Sequence, residues 1–307
     1  MYPALKFICA FTSAFHTSEQ NYSNLYTCAP YILGTTLRGA VLRALIDTDC
    51  QGKLPHPVPT FHDQCGFDCQ VKPLFDLPTR FSFGMFLPES TVALRTRVGI
   101  DREGYCAAEG ALLSTEVRYG RFIFSVMLPH ENLQDLVRQA VTWTGSRPDS
   151  GGIGRFRSAG WGRFELVEDP TPVSLPSRHG GGTRYCFQFR TPYVLDEGFL
   201  DRPERKVEEQ LRKALPLELR DTVQVTEVEL HLRSLSYIRR WSDEPQSQGK
   251  HNRQVAGPDT ELLVTFVQPV TEEHLQLWQW GIGEWFDSGF GSCEIAPLHD
   301  QQQSGVR

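Results

Sequence analysis

The chain has 307 residues, of which 40% are hydrophobic and 22% charged, with a formal net charge of −6. This length allows one large or two medium domains, and no apolar run approaches the roughly 20 residues that a membrane span needs. The net negative charge is not typical of a nucleic-acid-binding protein, but it leaves room for a local basic surface. The eight cysteines follow no paired framework, and we expect reduced thiols in a cytoplasmic protein.

The N-terminal half begins with a predicted strand, ALKFICAFTSAF, which lacks the basic region and cleavage site of a signal peptide. The next segment, GTTLRGAVLRALI, predicts a helix with a threonine cap and with Leu37, Val41, Ala44 and Leu45 on one face. Further on, RFIFSVML predicts a strand and PHENLQDLVRQAV a helix. A glycine-rich stretch, GGIGRFRSAGWGRFEL, then leads into a closing strand.

The C-terminal half repeats this order after a proline- and glycine-rich linker. Strand TRYCFQFRTPYV, helix RPERKVEEQLRKAL, strand ELLVTFVQ and helix TEEHLQLWQW precede a second glycine loop, GIGEWFDSGFGSCEI. One offset of 129 positions superimposes the two loops, so that their glycines align. The aligned positions are Gly152, Gly154, Gly160 and Gly162 with Gly281, Gly283, Gly289 and Gly291.

This duplication predicts an α+β fold of two tandem ferredoxin-like βαββαβ domains, each ending in a glycine-rich loop. We expect an N-terminal domain at residues 1–170 with a hairpin insertion and a linker at 171–182. The C-terminal domain then covers residues 183–297, and residues 298–307 form a disordered tail.

The first glycine loop combines backbone freedom with positive charge. Its glycines, Gly152, Gly154, Gly160 and Gly162, allow positive φ, and successive N–H groups in such a turn form an anion-binding nest. Its cationic and aromatic side chains, Arg155, Arg157, Arg163 and Trp161, suit phosphate oxygens and a stacked base. The alternative is a turn that only packs between helix and strand. A dinucleotide-binding loop is excluded, because that motif follows a strand and precedes a helix.

The second loop carries Glu284 and Asp287 where the first has arginines. We therefore interpret the first loop as the one that contacts a polyanion and the second as a structural element.

Several stretches resemble the RAMP superfamily of CRISPR-associated proteins. PYILGTTLRGAVLRAL resembles the family segment that opens the first helix, and RTRVGIDREGYCAAEGALLSTEVRYGRFIF resembles its hairpin region. RRWSDEPQSQGKHNRQVAGPDTELLVTF with GIGEWFDSGFG resembles the second domain of the two-domain RAMP subunit of type III effectors, particularly type III-D. The motifs are degenerate, but their order is specific and covers nearly the whole chain.

The resemblance implies a non-catalytic RNA-binding subunit of an antiviral effector complex. Such a subunit grips crRNA near its repeat-derived handle and packs against other RAMP subunits and the large polymerase-like subunit, with target RNA as a further partner. The glycine loop and Arg38 would lie along RNA phosphates. Arg95, Arg97 and Arg102 are weaker candidates, because they also suit a solvated strand face.

Two RNA-cutting relatives provide the enzymatic alternative. Subunits that cut target RNA carry an aspartate after the first strand, where this chain reads HTSEQNYSNLYTCAP. The crRNA-processing endoribonuclease of the family uses a histidine near the first helix, a role open to His16, His56 or His62. A scaffolding protein whose loops only pack is the third interpretation.

The stretch DCQGKLPHPVPTFHDQCGFDCQ offers Cys50, His62, Cys65 and Cys69 as ligands of a structural zinc ion, with His56 nearby. The alternative is an irregular loop with free thiols, because its C-x₃-C spacing is looser than the usual C-x₂-C. We expect no other cofactor.

Overall fold

The computed structural model describes residues 2–22, 25–49, 69, 71–75, 79–100, 107–147, 151–173, 180–195, 198–199, 201–241 and 250–298. Within these ranges the fold is mixed α+β, with strands in several sheets and five α-helices. None of the helices in the described ranges is long and apolar enough to span a bilayer.

The strands are β1 Ala4–Phe11, β2 Ser18–Tyr22, β3 Leu25–Cys28, β4 Tyr31–Ile32, β5 Arg80–Phe81, β6 Gly84–Phe86, β7 Thr91–Ile100, β8 Ala107–Tyr119, β9 Arg121–Met127, β10 Phe164–Leu166, β11 Thr171–Pro172, β12 Arg184–Phe189, β13 Tyr193–Val194, β14 Val225–His231, β15 Leu235–Trp241, β16 Lys250–Ala256, β17 Glu261–Phe266 and β18 Cys293–Pro297. The α-helices are α1 Gly34–Asp49, α2 Gln134–Ser146, α3 Pro203–Lys213, α4 Leu217–Arg220 and α5 Glu272–Trp278.

One compact unit, called here the N-terminal unit, comprises Tyr2–Phe75 and Phe83–Val173. Its main sheet has the strand order β10-β1-β9-β6-β4, and β11 also pairs with β1. A second sheet has the order β2-β3-β8-β7. Strand β1 alternates buried and half-buried side chains because one of its faces lies on the core. On that face Phe7 stacks on Phe124 with ring centroids 5.0 Å apart.

Helix α1 buries Leu37, Val41, Ala44 and Leu45, each at most 2% exposed, which confirms the face predicted from their spacing. The same helix packs against α2. Its opposite face is free to line a surface feature, and the candidate site below uses it.

The other compact unit, called here the C-terminal unit, comprises Asp76–Ser82 and the chain from Ser174 onward. Its main sheet has the order β14-β17-β12-β18, and a three-stranded sheet has the order β13-β16-β15. Helix α5 begins at an N-cap, Thr271, whose side chain accepts a hydrogen bond from the backbone of His274.

The division between the units falls after Val173, inside the predicted linker at 171–182. Asp76–Ser82, which lies within the predicted N-terminal domain of residues 1–170, clusters with the C-terminal unit. The buried side chain of Arg80, described below, is the physical reason.

Candidate functional site

The N-terminal glycine loop turns back on itself around a short 3₁₀ turn, Arg157–Ala159. The residues on either side of that turn, Phe156 and Gly160, have left-handed backbones with φ of 61° and 78°. Gly152 and Gly162 also have positive φ, 97° and 75°. A Cβ on Gly162 would lie 1.8 Å from the carbonyl oxygen of Ile153, so only glycine fits there.

Most amides of this loop are already used inside the protein. Gly162 N–H donates to the carbonyl of Ala14 at 2.7 Å, and Arg155 N–H donates to the carbonyl of His16 at 2.8 Å. Arg163 N–H donates to the Ser13 hydroxyl at 2.8 Å. The prediction of an anion nest needs free backbone N–H groups, and it is therefore wrong for Arg155, Gly162 and Arg163. The segment after β1 takes up the donors and fixes the shape of the loop.

The C-terminal glycine loop repeats the same backbone. Trp285 and Gly289 have φ of 61° and 81°, and they flank a 3₁₀ turn at Phe286–Ser288. The hydrogen bond from Ile282 N–H to the carbonyl of Gly291, 3.2 Å, matches the bond from Ile153 N–H to Gly162 in the first loop, 2.9 Å.

The side chains predicted to bind RNA in the first loop differ in their solvent exposure. Arg155 and Arg157 are exposed, whereas Arg163 and Trp161 are half-buried. The Trp161 ring meets Phe156 edge-on, with centroids 5.1 Å apart. Gly152 and Gly162 are buried, whereas Gly154 and Gly160 are partly accessible.

Helix α1, helix α2 and this loop enclose a cleft of about 640 Å³. Thr35, Thr36, Gly39, Arg43 and Asp47 of α1 line one side of the cleft. The other sides are formed by Trp143 and Thr144 of α2, the adjoining Arg147, and Gly152, Gly154 and Arg157 of the loop. All these residues belong to the N-terminal unit.

An aspartate joins two of the three cleft arginines. Asp47 accepts from Arg43 Nε and from Arg147 Nη1, each at 2.8 Å. The Arg147 guanidinium also lies over the Trp143 ring, 4.4 Å from its centroid. Arg157 is exposed, and its side chain has no hydrogen-bond or ion-pair partner among the described residues. Three arginines and one aspartate leave the cleft with a net positive charge, which attracts an anionic ligand.

Gly39 lies in the middle of α1 on the cleft side. A Cβ built on it would meet no atom within 4 Å. Glycine in a helix interior costs roughly 0.5–1 kcal/mol relative to alanine. Packing therefore does not require glycine at this position, and the space beside it is open.

Sequence reasoning missed Arg43, Asp47 and Arg147, because their position depends on how α1 and α2 pack. Their spacing offered one signal: Arg43 and Asp47 are four residues apart on a helix that also carries the predicted Arg38.

Of the other predicted arginines, the structure describes the side chains of Arg38 and Arg95, and neither lines the cleft. Arg38 Nη2 donates to the carbonyl of Phe75 at 3.5 Å, on another side of α1. Arg95 is exposed on β7 and donates to the Tyr119 hydroxyl from Nε at 3.2 Å and from Nη2 at 2.7 Å. Arg97 lies on β7, but its side chain is outside the described part of the chain. Arg102 lies entirely outside the described residues. Their contact with RNA stays a prediction.

The predicted catalytic histidine that the structure describes is buried. His16 is 0% exposed, and its Nδ1 lies 2.7 Å from the carbonyl oxygen of Glu116. Its own carbonyl accepts from the glycine loop, so it forms part of the support beneath that loop. His56 and His62 fall outside the described residues.

The predicted zinc ligands Cys50, His62 and Cys65 also fall outside the described residues, whereas Cys69 is described and half-buried. Within the described ranges, no group of three or more histidine, cysteine or acidic side chains is placed to hold a metal ion. Zinc binding stays a prediction. Cys9 is a buried core thiol, and burial raises its pKa to about 12.

The chain matches no protein-family model and no curated protein sequence. Among solved structures, a CRISPR-associated protein Cas6 is 11% identical with a TM-score of 0.46, over 97% of this chain and 100% of that chain. A RAMP protein that binds different RNA substrates is 12% identical with a TM-score of 0.47, over 96% and 99%. A Cas6-related protein from Pyrococcus furiosus is 11% identical with a TM-score of 0.46, over 98% and 100%. Likeness at this level does not carry an activity over to the chain.

Proposed function

We propose that the chain is a RAMP-type, non-catalytic RNA-binding subunit of a type III CRISPR effector complex. The cleft between α1, α2 and the first glycine loop holds the sugar-phosphate backbone of crRNA near its repeat-derived handle. The cleft geometry carries the proposal: Arg43, Arg147 and Arg157 converge on a groove that Gly39 keeps open. Guanidinium groups suit phosphate because they donate in pairs from a rigid plane.

Both units are taken as ferredoxin-like in this proposal. Strand order supports it, because the first and last strands of each motif, β1 with β10 and β12 with β18, are neighbours. The third strands, β9 and β17, flank the first on its other side. Helices α1 and α3 follow the first strands, and α2 and α5 follow the third.

A binding role without catalysis fits the chemistry of the cleft. Its lining, as far as the structure describes it, contains no histidine, lysine or tyrosine to serve as general acid or base. Asp47, its one carboxylate, is held between two guanidinium groups.

Partner binding follows from the same assignment. The proposed complex places other RAMP subunits and the large polymerase-like subunit against this chain, with target RNA as a further ligand.

Salt-dependent RNA binding tests the proposal. Arg157→Ala and Arg43→Ala should each weaken binding of repeat-derived RNA, and the slope of log K against log salt should fall by about 0.7 for each phosphate that is no longer neutralised. Arg205→Ala is the matched control, because Arg205 is an exposed arginine of α3. Unchanged slopes in both cleft variants would refute RNA binding at the cleft. Specific cleavage of repeat RNA by the pure protein would identify an endoribonuclease instead.

A further inference from the structure

Arg80 is one of the largest fully buried side chains of the protein, with 0% of its surface exposed. It lies on β5, inside the segment that clusters with the C-terminal unit. A buried guanidinium is costly unless polar groups replace its lost water. The groups around Arg80 therefore have to act as a binding site for it.

Three backbone carbonyls receive the guanidinium. Nη1 donates to Leu277 and, at 3.2 Å, to Gly281, and Nη2 donates to Ala214. Ala214 is the C-cap of α3, and Leu277 lies in the last turn of α5. Helix C-termini carry partial negative charge, so both helix ends favour a cation between them. Gly281 opens the C-terminal glycine loop, which is thereby tied to the same group.

An aromatic ring completes the site. The guanidinium carbon lies 4.8 Å from the centroid of Phe286, in cation–π geometry. Phe286 also begins the 3₁₀ turn of the glycine loop. The planar group is thus held by hydrogen bonds and by the ring, which suits guanidinium rather than a point-like ammonium.

The internal repeat makes the comparison with the first loop direct. Gly281 and Phe286 are equivalent to Gly152 and Arg157, both of which line the open cleft of the N-terminal unit. The N-terminal copy thus presents an arginine to an open space. The C-terminal copy presents carbonyls and a ring to an arginine that is already bound.

We infer that the C-terminal glycine loop carries a guanidinium-binding site whose resident ligand is Arg80. The site binds a guanidinium group, and Arg80 of the same chain supplies that group. The occupied site keeps this loop closed to external ligands and anchors Thr79–Ser82 to the C-terminal unit. The inference does not depend on RNA binding by the first loop.

Rescue with a small guanidinium salt tests this site. The full chain with Arg80→Ala should melt at a lower temperature than the wild type, and millimolar methylguanidinium chloride should restore part of the loss with saturation. Methylammonium chloride, of equal charge, should not restore it. Wild type and Arg190→Ala, a variant of an exposed arginine of the same unit, should respond equally to both salts. No loss of melting temperature in Arg80→Ala, or equal rescue by both salts, overturns the inference.

Two further arms cover a variant that fails to fold. Refolding of Arg80→Ala with methylguanidinium should then recover folded protein, and refolding with methylammonium should not; recovery with neither salt overturns the inference. Phe286→Leu retains the three carbonyls and removes the ring. It should lower the melting temperature less than Arg80→Ala and should show no selective response to methylguanidinium, because Arg80 still occupies the site.

Discussion

Phe156 and Trp285 occupy equivalent places in the two glycine loops and share a left-handed backbone, with φ of 61° in each. Bulky residues rarely adopt this conformation, which costs roughly 1–2 kcal/mol per residue. Each ring packs edge-on against a neighbour, Phe156 on Trp161 and Trp285 on Phe290, at 5.1 and 5.3 Å. The surrounding loop holds the strained residue in both copies, so the conformation belongs to the repeat rather than to one binding site.

Gly160 and Gly162 of the first loop have nearly the same φ, but only Gly160 has space beside it for a Cβ atom. Gly162→Ala should lower the free energy of unfolding by more than Gly160→Ala, measured by urea denaturation. Gly160→Ala incurs only the conformational cost of about 1–2 kcal/mol, because no atom lies within 4 Å of its Cβ position. Gly162→Ala adds a clash with the carbonyl of Ile153, worth about 1–3 kcal/mol more. Equal losses would contradict the packing described for the loop.

Filling the space beside Gly39 should separate stability from binding. Gly39→Leu places a side chain in the cleft, and we expect weaker RNA binding in a filter or anisotropy assay. Stability should not fall, because leucine is favoured over glycine in a helix by up to about 1 kcal/mol. Thr48→Leu, at an exposed position of the same helix outside the cleft lining, should leave binding unchanged. A Gly39→Leu protein that binds RNA normally would show that the cleft is not the binding site.

Charge removal at Asp47 should act in the opposite direction to the arginine variants. Asp47→Asn removes the one negative charge of the described cleft lining, so RNA affinity at low salt should rise and the salt dependence should steepen. Asp169→Asn, an exposed acid paired with Arg138, is the control for net charge alone. Weaker binding by Asp47→Asn with an unchanged salt slope would mean that Asp47 acts only by orienting Arg43 and Arg147.

His274 should make the C-terminal unit less stable in acid. Burial lowers the pKa of this histidine, whose ring nitrogens contact the hydroxyls of Thr271 and Thr222 at 2.5 and 3.0 Å. The unfolded chain, with an ordinary pKa near 6.5, binds more protons there than the folded one, so the free energy of unfolding falls as the pH drops below about 6.5. Urea denaturation between pH 7.5 and 5.5 measures the loss.

The matched variants for this pH effect are His274→Asn and His231→Asn. His274→Asn should flatten the profile. His231 is exposed and its pKa is raised, mainly by its hydrogen bond to Glu229. Its contribution therefore has the other sign: it is present below the unfolded pKa and is lost as the pH rises through the folded pKa. His231→Asn should therefore retain the acid-induced loss of stability, and a flat profile in that variant would show that His274 is not its source.

Sequence patterns identified the features of this fold that are local. The spacing of Leu37, Val41, Ala44 and Leu45 located the buried face of α1, and the glycine spacing located both loops. The use of the loop amides was not visible, because their acceptors Ala14 and His16 lie well over a hundred residues away in the chain.

Long-range pairings account for the rest of what the sequence did not show. The cleft arginine Arg147 meets Asp47 across 100 residues, and Arg80 meets carbonyls 134 to 201 residues away. A single arginine in a short strand gives no local sign that it is buried, since arginine is mostly found at the surface.

The placement of Arg80 makes the C-terminal unit depend on a segment from the N-terminal half of the sequence. A fragment that begins at Ser174 would lack the guanidinium of Arg80. The carbonyls of Ala214, Leu277 and Gly281 would then line an unfilled cavity. Expressed alone, such a fragment would therefore lack part of its own interior. A cut after Val173 therefore does not yield a self-sufficient C-terminal piece.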